Sequence, residues 1–78
     1  MYAVFLDVNG FFCFCSAWHR EDGKWIPTVS FERKGDYGKE LVHSRRHWIK
    51  AEFDDEQRAV QAAIEYGQKR AERGEVGL

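Results

Sequence analysis

The chain has 78 residues, a formal net charge of −1 and an apolar content of 44 %, with aromatic residues making up 15 %. That length holds one domain near the size at which a single core only just suffices, and such domains often draw on disulfides, metals or oligomerisation. The near-zero charge excludes a global electrostatic footprint for nucleic acid or an anionic membrane, and the apolar N-terminal run is too short and too polar to span a bilayer.

The first eighteen residues organise the rest. Two β-prone runs, Tyr2 to Val8 and Phe11 to Trp18, flank Asn9-Gly10. Asn-Gly between such runs is the strongest short-range hairpin signal, because a type I′ turn needs positive φ at both central residues. A two-residue loop fixes the register: Val8 opposite Phe11, Leu6 opposite Cys13, Val4 opposite Cys15 and Tyr2 opposite Ala17. One hairpin face then carries Val4, Leu6, Val8, Phe11, Cys13 and Cys15. The other carries Phe5, Asp7, Phe12, Phe14, Ser16 and Trp18. Both are largely apolar, whereas a sheet with one wet face alternates cleanly. Each side therefore needs a cover, and the residue types alone do not assign which.

His19 to Lys24 is a polar turn closed by Asp22-Gly23. Trp25 to Arg33 reads as a third strand, with Trp25, Val29 and Phe31 on one face and Ile26, Thr28 and Ser30 on the other. Pro27 cannot donate to a ladder, which places this strand at an edge or starts it near Thr28. A glycine-containing loop, Lys34 to Lys39, leads to a strand over 40–50, with room for a bulge at Arg45-Arg46. A helix over 55–73 follows. Asp54 or Asp55 can cap it, Asp54 and Gln57 have capping-box spacing, and Ala59, Val60, Ala63, Ile64, Gly67 and Ala71 form its apolar stripe. Gly74 stops it, and Glu75 to Leu78 is expected to fray. The fold class is α+β: a three- or four-stranded antiparallel meander (hairpin 2–18, strands 25–33 and 40–50) with one C-terminal helix on one sheet face, as a single domain over 1–78.

One helix covers one face. The richer remaining face, with Phe5, Phe12, Phe14 and Trp18, is the candidate interface, and self-association through it as a homodimer is the expected function of a non-enzymatic interaction or regulatory module. The alternative is a nucleic-acid-binding module. It would use Arg33, Arg45, Arg46 and Lys50 for phosphates and Trp25 or Trp48 for stacking, since His19 to Lys50 holds eight bases to five acids. From Ala51 onward the balance reverses, to seven acids and four bases.

Catalytic and metal chemistry find little support. There is no Gly-rich phosphate loop, nucleophile elbow or His-Glu-x-x-His, and Asp7 is a lone strand acid. Cys13-x-Cys15-x3-His19 with His43-x3-His47 supplies a zinc-like donor set, but Cys-x-Cys is not structural-zinc spacing. Cys13 and Cys15, two apart on one strand, sit ~6.5–7 Å apart at ~3.3 Å per residue, the outer limit for a disulfide, so packed thiols are expected. No metal or cofactor is expected. The N-terminal run lacks the basic start of a signal peptide, and Asp7, Asn9 and Gly10 interrupt it, so the expected location is cytoplasmic, with no membrane partner.

Gly23-Lys24-Trp25-Ile26-Pro27-Thr28-Val29 entering a strand, then Phe53-Asp54-Asp55-x3-Ala59 entering a helix with Ala62, Ala63 and Tyr66, resembles small bacterial domains of unknown function. Their layout is an antiparallel sheet followed by one helix. It is also similar to the arm-binding domains of phage integrases and to the plant AP2 domain, and this likeness implies a sheet that reads DNA. Here the corresponding face carries Phe5, Phe12, Phe14 and Ser16 instead of basic residues. That departure favours a protein partner.

Overall fold

A computed structural model describes residues 2–78. Four antiparallel strands, β1 (Val4–Val8), β2 (Phe11–His19), β3 (Trp25–Arg33) and β4 (Ser44–Trp48), lie side by side in chain order. A 3-10 turn, Lys34–Asp36, follows β3, and α1 (Glu56–Arg73) closes the chain. The architecture is α+β, with the helix packed on one face of the sheet.

The hairpin turn has φ of +50° at Asn9 and +81° at Gly10, and the register is Val4–Cys15, Leu6–Cys13 and Val8–Phe11. Tyr2 lies outside β1, so the expected Tyr2–Ala17 pair is absent from the ladder. In a two-residue hairpin the pair flanking the turn exchanges both backbone bonds, and the pattern then alternates. Val4, Leu6 and Val8 thus point their amides at β2. The Lys34 N–H donating to Gly10 O at 2.8 Å continues the same alternation between β2 and β3.

Helix α1 answers the question of which face is covered. It lies over Val4, Leu6, Cys13, Cys15, Val29 and Phe31, the last four fully buried. Its own contribution is small side chains, and this allows close approach. A Cβ on Gly67 would stand 3.2 Å from Val29 Cγ1 and 3.5 Å from Cys15 Sγ, tighter than ordinary contact. Asp55, not Asp54, is the N-cap, its carboxylate accepting the Arg58 N–H at 2.8 Å. Gly74, with φ +71°, ends the helix in the left-handed conformation. Asn9 adds a second fastening. Its side-chain amide donates to the carbonyls of Ala71 (3.0 Å), which also accepts the Gly74 N–H, and Glu72 (3.2 Å), so the turn residue is tied to the last helical turn.

Three expectations are corrected. The strand over 40–50 is only Ser44–Trp48, and its register against Thr28–Glu32 is continuous, without a bulge. Next, β3 is an interior strand with Pro27 inside it. Pro27 sits where its missing N–H would face β4: Ile49 N–H donates to Pro27 O at 3.0 Å, but Ile49 O has no donor in return and accepts from Ala51 N–H at 2.9 Å. The proline therefore ends β4 and turns the chain outward, and pairing resumes only at the Trp25–Phe53 bridge. Finally, the tail does not fray. Val76 is 1 % exposed and belongs to the core. Half-buried His47 holds it there: Nε2 lies 3.0 Å from Val76 O, Nδ1 lies 2.7 Å from the Tyr66 hydroxyl, and the ring meets Phe31 edge-on at 4.9 Å. A carbonyl only accepts, so Nε2 carries a proton and donates to Val76 O.

Two substitutions test this packing by urea denaturation. Gly67→Val forces the helix off Val29 and Cys15 and should cost about 1–3 kcal/mol, as overpacking of a close-packed core does. Deleting Glu75 to Leu78 removes buried Val76 and the acceptor of His47, and should cost about 2–3 kcal/mol.

Candidate functional site

The strands project alternate side chains away from the helix, and the registers define what this open face contains. At one end, Phe5 of β1 meets Phe12 and Phe14 of β2, with ring centroids 5.0 and 5.2 Å apart. Tyr37, from the loop after the 3-10 turn, packs edge-on against Phe12 at 5.3 Å. At the other end Trp18 of β2 and Trp48 of β4 meet across β3, 5.9 Å apart and nearly perpendicular. They roof over Thr28, which is only 4 % exposed although no helix lies on its side. The roofed hydroxyl is satisfied by Ser16 Oγ at 3.0 Å. Arg46 lies beside them, its guanidinium 5.9 Å from the Trp48 ring and its Nε donating to Ser30 Oγ at 3.1 Å.

The rings are far from buried. Phe5 is 53 % exposed, Trp18 49 % and Trp48 54 %. With full side-chain areas of roughly 150–250 Å² per aromatic residue, the patch offers on the order of 400 Å² of apolar surface, within the range where patches on monomers are often functional. The charges on the face nearly cancel. Asp7 is paired with Lys34 at 2.8 Å, and Glu32 and Arg46 carry opposite signs.

Beside Trp18 and Trp48 runs an open groove of about 610 Å³, floored by Ile26 and walled by Ile49 to Glu52. It exists because Pro27 releases the chain from β3 between Ile49 and Phe53. Arg20 and Lys50 reach its rim, but Arg20 is held by Asp22 (2.6 Å) and Glu52 (2.9 Å).

Phe5, Phe12, Phe14 and Trp18 all lie on the open face. The alternative nucleic-acid set is divided. Trp25 shares the helix side and stacks on His19 at 4.1 Å, and Arg45 leans on Gly77 from that side. Arg33 ends β3, with Asp36 at 3.8 Å. Trp48, Arg46 and Lys50 reach the open face or its groove. The sequence reading missed Trp48 and Tyr37 as members of this face. Trp48 could have been found by extending the meander one strand, because it has the parity of Arg46. Tyr37 sits in a loop without periodicity and left no signal.

The zinc-like donors are scattered: Cys13 and Cys15 beneath Gly67, His19 on Trp25, His43 beside Arg33, and His47 under Tyr66. Among the described residues no group of three or more His, Cys, Asp or Glu is placed to hold a metal ion, and no helix is long and apolar enough to cross a membrane. Both cysteines are free thiols. Burial pushes the Cys13 thiol up to about 11 and the Cys15 thiol up to about 12, with Asp7 adding to the first and Cys13 to the second. They are core groups, protonated at neutral pH.

No family model matches this sequence, and no curated protein and no solved structure matches it either.

The raised thiols make a signed prediction. Their contribution to stability is intact below their ordinary value of 9.0 and is lost as pH rises from there through about 11 and 12, because the unfolded chain ionises first. Urea melts should weaken over that window in the parent chain and less steeply in the Cys13→Ala/Cys15→Ala variant. A thiol reagent at neutral pH should label the folded chain only as fast as it opens.

Proposed function

We propose that this chain is a non-enzymatic interaction module that self-associates through the open sheet face, two copies meeting face to face over Phe5, Phe12, Phe14 and Trp18. The observation that carries this reading is the combination of half-exposed aromatic rings with a nearly neutral face and, among the described residues, no covering element. Aromatic side chains are enriched at interface cores and charges are depleted there, and this face has that balance. Four strands about 4.8 Å apart, with strands of average length near seven residues at ~3.3 Å each, span roughly 19 by 23 Å, so two stacked faces bury about 900 Å², the size of a small, concentration-dependent contact. A two-fold arrangement lets the same patch serve both copies.

One observation favours a second reading. The groove beside Trp18 and Trp48 has Lys50 at its rim and Arg46 nearby, and a single-stranded nucleic acid could stack a base there. Salt separates the two, since phosphate contacts weaken steeply as salt rises and apolar association does not.

At micromolar concentration, light scattering of the parent chain should give the mass of a dimer, insensitive to salt. Phe14→Asp places an unpaired charge in the phenylalanine cluster, against Phe5, and should give a monomer with an unchanged far-UV spectrum. A folded Phe14→Asp chain with the parent's mass would move the interface elsewhere.

A further inference from the structure

The two edges of the sheet are built differently. The outer edge of β4 is guarded by Arg45 and Arg46, consecutive positive charges of the kind that blunt edge pairing. The outer edge of β1 has no such guard. Its sequence, Val-Phe-Leu-Asp-Val, contains no proline and no basic residue, and its ladder with β2 runs without a bulge. β1 touches β2 on one side and α1 beneath, and the sheet order leaves its other side free. Among the described residues before β1, Tyr2 is drawn toward the helix, its N–H donating to Glu56 at 3.2 Å.

The alternation fixed by the Asn9-Gly10 turn says which groups are unpaired there. Val4, Leu6 and Val8 bond inward to β2, so the N–H and C=O of Phe5 and Asp7 point outward, along the plane of the sheet. An antiparallel partner strand has to present two donors and two acceptors at that spacing. β1 itself does so. A two-fold axis through Leu6 sets Phe5 against Asp7 as a doubly bonded pair, repeats this pair on the other side of the axis, and brings Leu6 against Leu6 in the close, non-bonded position. On the helix side Val4 then meets Val8, so the half-buried Val4, Leu6 and Val8 gain apolar neighbours at every step. On the open side Phe5 meets Asp7, whose charge is already paired with Lys34.

We infer that β1 is a second self-association surface, at which a second copy adds its own β1 antiparallel, centred on Leu6, to form a continuous eight-stranded sheet. This goes beyond the face-to-face contact and does not depend on it. Edge pairing over five residues is the weaker of the two contacts and takes over as concentration rises from micromolar toward millimolar. It also sets the Phe5–Phe12–Phe14 clusters of two copies next to each other on one extended face.

The test is amide hydrogen exchange of the parent chain at the two ends of that concentration range, read beside the solution mass. The Phe5 and Asp7 amides should exchange at least ~10-fold more slowly at the high concentration, while the Arg46 amide, outward on the guarded edge, stays fast at both. Asp7→Pro removes one outward donor without touching a bond to β2 and should abolish the concentration-dependent protection at Phe5. Asp7→Asn, which keeps the donor, should retain it. If Asp7→Pro does not fold, the exchange of the parent chain decides alone. A chain that associates while Phe5 and Asp7 exchange fast at every concentration overturns the edge pairing and leaves the face-to-face reading standing. A chain that stays monomeric throughout overturns both.

Discussion

Two residues in the left-handed region, Asn9 and Gly10, impose the constraint on which the remaining structure depends. A two-residue loop permits one register, and a register permits one sorting of side chains between the faces of a sheet. A slip of one residue in β2 would move Cys13 and Cys15 to the aromatic side and Phe12 and Phe14 under the helix. The sorting passes from β2 to β3 and from β3 to β4 through continuous antiparallel ladders, so a local turn decides the composition of both faces of the molecule. Asn9 then ties that turn to the helix by donating to Ala71 and Glu72, joining the first element to the last.

The two faces differ in ring size more than in polarity. Under the helix lie thiols, valines, alanines and a single fully buried aromatic ring, Phe31. Such residues allow the backbone of α1 to come down until Gly67 rests on Val29 and Cys15. Phe5, Phe12, Phe14, Trp18 and Trp48 lie on the other face, where they pack on each other through edge-on and tilted contacts instead of on a cover. Pro27 shapes that face from within. By withholding one donor in an interior strand it stops β4 after Trp48 and opens the groove beside the two tryptophans.

Much of the fold was legible in local sequence because it follows from local physics. The hairpin register comes from loop length, the start of the helix from an aspartate that can accept an N–H, and its end from a glycine that accepts positive φ. The covered face was not legible, because both hairpin faces are apolar. The choice depends on which of them matches the small stripe Ala59, Ala63 and Gly67, a comparison of shapes across more than 40 positions of chain. Pro27 misled because an edge position is the usual way to tolerate a missing donor; here the tolerance comes from ending the neighbouring strand. Val76 was missed for a different reason. Its burial rests on a hydrogen bond from His47 and carries no periodicity. The candidate face was legible in β1 and β2, where parity alone collects Phe5, Phe12, Phe14 and Trp18. Trp48 was reachable by carrying that parity through β3 into β4, whereas Tyr37 lies in a loop and follows no parity.

The clasp between Asn9 and the end of α1 has a consequence for biosynthesis. The hairpin and β3 leave the ribosome first, with both faces of the sheet bare. At translation rates of about 5–20 residues per second, the stretch from Arg33 to Arg73 takes roughly 2–8 s to follow. Hairpins themselves form in microseconds, so strand pairing is fast compared with the arrival of the helix that covers it. The clasp itself waits for the last turn of the helix, since Ala71 and Glu72 give Asn9 its acceptors. The order of synthesis thus makes the thiol face the one that a nascent chain must keep from its neighbours until α1 arrives, whereas none of the described elements covers the aromatic face.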